Sequence, residues 1–278
     1  MLPPLIAGKD KACFAVTEPN AGLDTLKLKT KAVREGDRYI LSGQKIWIST
    51  AQVASKMLIL ARTTPLENVA RRTEGLSLFY TDLDRRFIDV REIPKMGRSA
   101  VDSNELFIEQ LPVPAADRIG EEGRGFEYIL HGMNPERILI GAEAIGIGRV
   151  ALRRAANYAR ERIVFDRPIG QNQAIQHPLA ACWMALEAAN LMAFKAASLY
   201  DAGLPCGIEA NAAKYLAGEA GFKACETALM THGGMGYAKE FHVERYLREV
   251  LIARIAPVTP QMILCFIAEK ALGLPKSY

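Results

Sequence analysis

The sequence predicts an α+β fold, in which an antiparallel β sandwich or barrel domain is followed by an antiparallel helical bundle. Before residue 120, short apolar runs alternate with turn residues at a spacing of roughly ten, which is typical of an all-β domain. After residue 120, the sequence is alanine-rich and its apolar residues recur with helical periodicity. Because the two patterns follow one another and do not alternate, a doubly wound sheet is excluded. We therefore expect a β domain over 1–120 and a helical bundle over 121–278.

Seven apolar runs in the first part are predicted strands, each bounded by turn residues. Glu35-Gly36-Asp37 predicts a hairpin turn between two of them. The strands are expected at 12–16, 31–34, 39–41, 45–48, 57–61, 76–80 and 105–108.

The second part predicts long helices joined by short loops, the arrangement of an antiparallel bundle. We expect Asn134-Pro135 to stop a short first helix, because Pro135 suits the first turn of a new and longer one. Gly141, Ala144 and Gly148 indicate close packing along that long helix. The helices are expected at 125–133, 135–162, 174–200, 208–232 and 260–272.

The composition is that of a soluble globular protein, with 50% hydrophobic and 24% charged residues. A net charge of +4 without a block of lysine or arginine does not indicate a nucleic-acid partner, but it suits phosphate-bearing ligands.

The five cysteines are scattered and the four histidines do not cluster, so we expect neither a disulfide framework nor a metal site. No apolar run has the length of a membrane span, and the first residues resemble neither a signal nor a transit peptide. A reducing, cytoplasmic location is expected.

Two segments of the first part have residues suited to a planar, polar cofactor. A strand entering the loop 17–25 offers free backbone amides and the Thr17 hydroxyl, although such a loop is more often an ordinary turn. Trp47 and Ser49 lie two residues apart on a strand and so share a face. An indole beside a hydroxyl could hold a heterocycle, and the alternative is a buried core tryptophan.

Two segments of the second part have residues suited to phosphate. Arginines from Arg160 to Arg167 can bind phosphate oxygens, although cations also suit the carboxy end of a helix. Three glycines in Gly233-Gly-Met-Gly236 would let a pyrophosphate approach the backbone, although they also suit a helix cap and turn.

The four segments in this order resemble the acyl-CoA dehydrogenase family along the whole chain. The motifs are Thr17-Glu-Pro-Asn-Ala-Gly-Leu-Asp24, Lys45-Ile-Trp-Ile-Ser49, Glu161-Arg-Ile-Val-Phe165 and Gly233-Gly-Met-Gly-Tyr237. The resemblance implies an FAD-dependent oxidoreductase of fatty acid metabolism. Members of the family have an N-terminal helical domain before the β domain, and we expect this chain to lack it, and with it one wall of the acyl pocket.

The resemblance also implies roles for individual residues. The flavin ring would be contacted by Phe14, Val16, Thr17, Trp47 and Ser49. The bound FAD would be contacted by Thr259 and Gln261, and the FAD of a neighbouring subunit by Arg162, Phe165, Gln173, Gly233 and Gly234. The CoA moiety would be approached by Asn134 and Arg137. Three positions depart from the family's usual serine, glycine and glutamine: Leu23, Asp166 and Met230.

The implied reaction is α,β-dehydrogenation of an acyl-CoA to the trans-2-enoyl-CoA, with an α proton taken by a carboxylate and a hydride passed to flavin N5. Most members use a glutamate in a Tyr-Glu-Gly-Thr segment, but the equivalent segment here is Ala256-Pro257-Val258-Thr259. A branch similar to isovaleryl-CoA and long-chain dehydrogenases has its glutamate on the long helix before an arginine, which points to Glu136. The alternative is that Glu136 only favours the helix dipole. Pro257 also lacks the backbone N–H that helps to bind the thioester carbonyl in relatives.

The partners implied by the resemblance are an acyl-CoA substrate, an electron-transfer flavoprotein as acceptor, and further copies of the chain in a dimer or tetramer. No nucleic acid and no membrane are expected as partners. An alternative is a non-catalytic or partner-dependent subunit with an incomplete site, and a third possibility is a related flavin oxidase.

Overall fold

A computed structural model of the chain describes residues 2–277, which divide into two compact units with the boundary between Gly132 and Met133. The first unit contains a β sheet and the second is helical, so the predicted α+β fold class is confirmed. The predicted division at residue 120 stays a prediction. It assigned the flavin and substrate contacts to the part before residue 120, and the oligomer interface, the site for the ADP part of FAD and the candidate base to the part after it.

The first unit contains one sheet of eight strands in the order β6-β7-β3-β2-β4-β5-β8, with β1 parallel to β4. The remaining pairs are antiparallel except for one parallel pairing between β2 and β4. The strands are β1 (Ala12–Ala15), β2 (Lys31–Glu35), β3 (Arg38–Ser49), β4 (Lys56–Arg62), β5 (Leu76–Asp82), β6 (Ile88–Glu92), β7 (Ser103–Pro114) and β8 (Arg118–Ile119).

The predicted strands are confirmed in outline, with one error of division. The runs 39–41 and 45–48 are one strand, β3, because Ser42-Gly43 is not a turn. Gly43 lies in a register shift of β3 against β7, and a Cβ added there would lie 2.5 Å from Thr30 Oγ1. Glycine is therefore needed for close approach of the backbones. The predicted hairpin at Gly36 is confirmed, but β6 and β8 were not predicted.

Helices make up most of the second unit, and the longest of them also contains the end of the first unit's sequence. The helices of the chain are α1 (Leu2–Ile6), α2 (Gly125–Glu161), α3 (Gln173–Asp201), α4 (Gly207–His232), α5 (Gly234–Tyr237), α6 (Val243–Val250), α7 (Ile252–Ile255) and α8 (Pro260–Lys270). A small hairpin, β9 (Ile163–Val164) and β10 (Arg167–Pro168), follows α2.

The predicted break at Asn134-Pro135 is wrong, because α2 is one helix of 37 residues with Pro135 inside it. A proline removes one backbone hydrogen bond and costs about 3 kcal/mol within a helix. Beyond Pro135, α2 buries a stripe of small and apolar side chains that includes Ala144 and Ile145. Tertiary packing of this kind supplies most helical stability and so outweighs the local cost.

The predicted close packing of the long helix is confirmed. A Cβ at Gly148 would lie 2.8 Å from Leu186 Cδ2 and 3.1 Å from Gly221 Cα, and a Cβ at Gly221 would lie 2.6 Å from the Ala144 carbonyl oxygen. Helix α2 therefore meets α4 at near-backbone distance, and the core of the second unit is built largely from alanines.

Within residues 2–277, no single helix is both long and apolar enough to cross a membrane, and one bent pair, Val243–Ile255 with Pro260–Lys270, passes that test by length and composition alone.

Candidate functional site

Two aromatic side chains of the first unit are exposed where β1 and β3 come together. Trp47 is 55% exposed, so the alternative of a buried core tryptophan is wrong. Phe14 on β1 is also exposed. Ser49 is exposed and Ile48 between it and Trp47 is buried, so Trp47 and Ser49 share the solvent side of β3. The exposed indole and phenyl rings are apolar surface, and covering that surface with a ligand would lower the free energy.

The backbone joins the two flavin-contact motifs of the first unit. The Ile46 N–H donates to the Thr17 carbonyl at 2.9 Å, which fixes the loop after β1 beside β3. Trp47 then adopts a φ of 62° in a second register shift of β3 against β7. The Asn104 side chain donates to the Ile48 carbonyl at 2.9 Å and supports this bulge. Bulges commonly redirect a side chain beside a functional site.

A buried ion pair that the sequence analysis missed lies beneath this surface. The Lys45 ammonium is fully buried, and it donates to Glu18 Oε1 at 3.0 Å and to the Val16 and Leu60 carbonyls at 3.0 and 2.8 Å. Burial lowers the pKa of Lys45 to about 8, and the charge of Glu18 opposes this. The sequence contained a signal for this burial: Lys45 lies an even number of residues after Tyr39 and Leu41, so it is expected on the same inward side of β3.

Glu18 is held by the loop that follows. Its carboxylate accepts the N–H groups of Lys29 and Thr30 at 2.6 and 2.9 Å. Burial acts to raise the pKa of Glu18, but the Lys45 charge and the hydrogen bonds with Lys29 and Thr30 outweigh it, so this pKa is below the ordinary value. The Glu18–Lys45 pair therefore ties the carbonyl of Val16, a predicted flavin contact, to β3.

In the second unit, the candidate base lies on α2 beside an arginine. Glu136 reaches solvent, yet burial of its surroundings raises the pKa of its carboxyl, and the Arg137 charge opposes that shift. Arg137 is half-buried, and its Nη1 donates to Asn134 Oδ1 at 3.0 Å. Within the part of the chain that the structure describes, the buried Nε of Arg137 has no acceptor. The helical turn after Pro135 thus contains a proton acceptor, Glu136, beside a cation, Arg137, whose Nε–H can still donate a hydrogen bond.

The segment between α7 and α8 has the proline at the family's usual base position. Thr259 caps α8, because its hydroxyl accepts the Met262 N–H at 3.4 Å and Pro260 occupies the first turn. Gln261 is exposed one residue further on. A buried lysine of α4, which the sequence analysis also missed, holds this segment: Lys214 Nζ donates to the Val258 carbonyl at 2.5 Å. Its position among Ala210, Ala213 and Ala217 on the buried face of α4 was the available signal.

The arginine-rich segment forms the hairpin β9–β10, with Phe165 and Asp166 at its tip. Both residues have positive φ, 51° and 59°, as a two-residue primed turn requires. Phe165 is 93% exposed, and Arg162 before the hairpin and Gln173 at the start of α3 are also exposed. The hairpin therefore brings an aromatic ring and a guanidinium to the surface together.

The three glycines after α4 differ in whether the fold of the chain explains the absence of a side chain. A Cβ at Gly236 would lie 2.2 Å from the Leu229 carbonyl oxygen, so the fold itself requires that glycine. Gly233 has a φ of 58° that favours glycine. Gly234 has neither a positive φ nor any neighbour within 4 Å of an added Cβ among residues 2–277. The side chains of Met230 and Tyr237 beside this turn are exposed.

These residues fit FAD as the cofactor. The first unit offers an exposed aromatic surface with hydroxyls for a planar, polar ring, and the turn at Gly233-Gly234 offers backbone that a pyrophosphate could approach. The assignment of each contact stays a prediction.

Comparisons with known proteins agree with this architecture. Residues 13–111 match the model of the acyl-CoA dehydrogenase middle domain, and residues 123–272 match that of the acyl-CoA dehydrogenase C-terminal domain. The acyl-CoA dehydrogenase FadE12 of Mycobacterium tuberculosis is 38% identical over 279 residues, covering 100% of this chain and 71% of that protein. Subunit CarC of the caffeyl-CoA reductase–Etf complex of Acetobacterium woodii is 36% identical over 262 residues, a match that covers 94% of this chain and 68% of CarC.

A solved structure of glutaryl-coenzyme A dehydrogenase in complex with glutaryl-CoA superposes with a TM-score of 0.93 at 32% identity. The match covers 99% of this chain and 69% of that one.

Proposed function

The chain belongs to the acyl-CoA dehydrogenase family, and from that premise we propose that it is an FAD-dependent enzyme that oxidises an acyl-CoA thioester to the trans-2-enoyl-CoA, with Glu136 as the base that takes the α proton. Its relatives and structural neighbours include acyl-CoA dehydrogenases, which are flavin oxidoreductases. The proposal concerns the reaction, the residues and the substrate of this chain in particular.

The observation that carries the proposal is the environment of Glu136. Glu136 reaches solvent, but partial burial of its carboxyl raises the pKa, so the carboxylate is a stronger proton acceptor than a fully solvated glutamate. Arg137 opposes the shift and so helps Glu136 to remain ionised near neutral pH. Pro257, at the usual position of the base, has no group that can accept a proton.

Arg137 and Asn134 are the proposed substrate contacts. The buried Nε of Arg137 has no acceptor within residues 2–277, so an oxygen of the CoA moiety would gain a charge-assisted hydrogen bond there. Asn134 holds Nη1 of the same guanidinium and fixes its orientation.

The proposed FAD contacts are of two kinds. Phe14, Val16, Thr17, Trp47 and Ser49 would bind the flavin ring, and Thr259 and Gln261 would contact the bound FAD. Arg162, Phe165, Gln173, Gly233 and Gly234 would bind the FAD of a second copy of the chain. Bound FAD would accept the two electrons that leave the substrate.

The exposed tip at Phe165 and the glycine at Gly234 support the contribution to a second copy, because Phe165 is 93% exposed and no atom of residues 2–277 lies within 4 Å of a Cβ added at Gly234. A homo-oligomer is therefore proposed. An electron-transfer flavoprotein is the proposed acceptor, and the relative CarC is named as a subunit of a complex with such a protein. The cytoplasmic location stays a prediction.

The test is single-turnover reduction of the purified flavoprotein by a panel of acyl-CoAs, followed by loss of flavin absorbance without oxygen. We expect wild type to be reduced and Glu136→Gln to be slower by about 10²-fold or more, in line with the loss of a general base. The matched control is Glu127→Gln, on the same helix and paired only at the surface with Arg124. A Glu136→Gln variant that is reduced as fast as wild type contradicts the base assignment.

The same preparation tests the other possibilities. A colourless protein that takes up no FAD would favour a non-catalytic or partner-dependent subunit. Hydrogen peroxide formed without an added acceptor would favour an oxidase.

A further inference from the structure

Helix α4 holds the segment around Pro257 at three points. A Cβ at Gly218 would lie 2.9 Å from the Ala253 carbonyl oxygen, so α4 and α7 meet at backbone distance. Beside this contact, Arg254 Nε donates to Glu219 Oε1 at 2.7 Å. The third point is the bond from Lys214 to the Val258 carbonyl, one turn earlier on α4.

Lys214 differs from the other two points because it places a charged group in a buried position, whereas Gly218 has no side chain and the Arg254–Glu219 pair is partly exposed. The Lys214 side chain is 1% exposed, and burial lowers its pKa to about 8, with Glu219 opposing the shift and Arg137 adding to it. Burying an ammonium is costly unless it gains strong hydrogen bonds. A hydrophobic residue would fill this alanine-lined position at less cost, so the fold of α4 does not by itself require a lysine.

Lys214 also lies next to the turn of α2 that contains the candidate base. Gly141 of α2 approaches the Ala213 carbonyl oxygen, at 3.5 Å from an added Cβ, and Arg137 is one helical turn before Gly141. The influence of Arg137 on the Lys214 pKa agrees with this closeness. The ammonium of Lys214 therefore bonds the segment that contains Pro257 and Thr259, and it is close enough to the Arg137 turn to be affected by its charge.

We propose that Lys214 is a positioning residue of the active site, which fixes the Val258 carbonyl and thereby the segment 256–261 relative to Glu136 and Arg137. This inference deepens the proposed function and rests on it for its catalytic consequence. Pro257 has no backbone N–H to donate, and the bond from Lys214 fixes the carbonyl of the next residue, Val258. Fixing Val258 also sets the direction of Thr259 and Gln261, the proposed FAD contacts.

The first test does not depend on activity. Amide hydrogen exchange is measured on the purified protein without acyl-CoA, for wild type, Lys214→Met and Lys214→Arg. We expect Lys214→Met to increase exchange at least about 10-fold in peptides covering 252–263, with little change in 223–232, since local opening is governed by local contacts. Lys214→Arg keeps a cationic donor and should restore part of the protection.

The second test uses flavin reduction by acyl-CoA. We expect Lys214→Met to lower the limiting rate about 10- to 100-fold while the half-saturating acyl-CoA concentration changes less than about 3-fold, because small misplacements affect the chemical step. The control is Lys223→Met, which removes a surface pair with Glu226 on the same helix and should change neither quantity.

The outcomes separate the two proposals. If wild type is not reduced by any acyl-CoA but the exchange result holds, the proposed function fails and the role of Lys214 in holding 256–261 stands. If Lys214→Met leaves exchange in 252–263 unchanged, or raises it uniformly across the second unit, the positioning role is overturned. If Lys214→Met does not fold, Lys214→Gln is measured in its place. Amide exchange and a limiting rate of flavin reduction that both equal those of wild type in Lys214→Gln would also overturn the positioning role.

Discussion

The ammonium of Lys45 lies 3.0 Å from the carboxylate of Glu18 in a part of the first unit where Lys45 has no solvent exposure. All three of its protons have acceptors: Glu18 and the carbonyls of Val16 and Leu60. The pair thereby joins the loop after β1 to β3, the two elements that present Thr17 and Trp47. Its effects on stability and on the pH dependence of stability can be tested separately.

Lys45→Met should lower the free energy of unfolding by about 3–5 kcal/mol, because it leaves the Glu18 charge buried and unpaired. The double variant with Glu18→Gln should lose less than the sum of the two single variants. Urea unfolding measures both, and Lys56→Met, which breaks the exposed pair with Asp82, should cost about 1 kcal/mol or less. Additive losses in the double variant would show that the two side chains do not interact.

The same pair predicts how stability depends on pH. The pKa of Glu18 in the folded protein is below its ordinary value of 4.5. Its stabilising contribution is therefore fully present above pH 4.5 and is lost as the pH falls through the folded-state pKa. The stability difference between wild type and Glu18→Gln should shrink on acidification below that pH. A difference that stays constant from neutral to acidic pH would contradict the prediction.

Glu136 predicts the opposite sign for its own titration. Because its folded-state pKa is raised above 4.5, ionisation of Glu136 at neutral pH lowers stability, so Glu136→Gln should be at least as stable as wild type. The rate of flavin reduction by acyl-CoA should fall as the pH drops through this raised pKa. Stopped-flow measurements from neutral to acidic pH would show this fall in rate in wild type. If the fall persists in Glu136→Gln, it belongs to another group.

The sequence was informative where pattern and local chemistry agree. Alternating apolar runs located most strands of the sheet, and turn chemistry located Gly36. It was misleading at Pro135 and Gly43, where a residue that usually breaks an element is tolerated because packing outweighs its local cost. Lys45 and Lys214 were overlooked because a charged residue in an apolar pattern is first taken to be exposed, and only the partners, distant in sequence, explain its burial.

Close approach of α2 and α4 gives a matched pair of glycine variants. A Cβ at Gly221 would lie 2.6 Å from the Ala144 carbonyl oxygen, so Gly221→Ala should destabilise the protein by about 1–3 kcal/mol through overpacking. Gly146 on α2 has no neighbour within 4 Å of an added Cβ among residues 2–277. Gly146→Ala should therefore be neutral or gain up to about 1 kcal/mol from helix propensity. Thermal unfolding of the two variants under one condition compares them, and equal effects would mean that the helices do not meet at Gly221.

Gly234 offers the sharpest test of the proposed contact with a second copy and its FAD. Since Gly234 has no positive φ, and no neighbour among residues 2–277 lies within 4 Å of an added Cβ, Gly234→Ala should leave the urea midpoint of the FAD-free protein unchanged. If a neighbouring pyrophosphate approaches this backbone, the added methyl group should weaken FAD binding about 10-fold or more, or lower the fraction of oligomer.

Gly236→Ala is the contrasting control, because a Cβ there would meet the Leu229 carbonyl oxygen at 2.2 Å and should destabilise the fold itself. Fluorescence titration of FAD and analytical ultracentrifugation give the two readouts for Gly234→Ala. A variant with unchanged FAD affinity and unchanged oligomer would remove Gly234 from the cofactor site. The proposed interface at this turn would then depend on the exposed side chains of Met230 and Tyr237 alone.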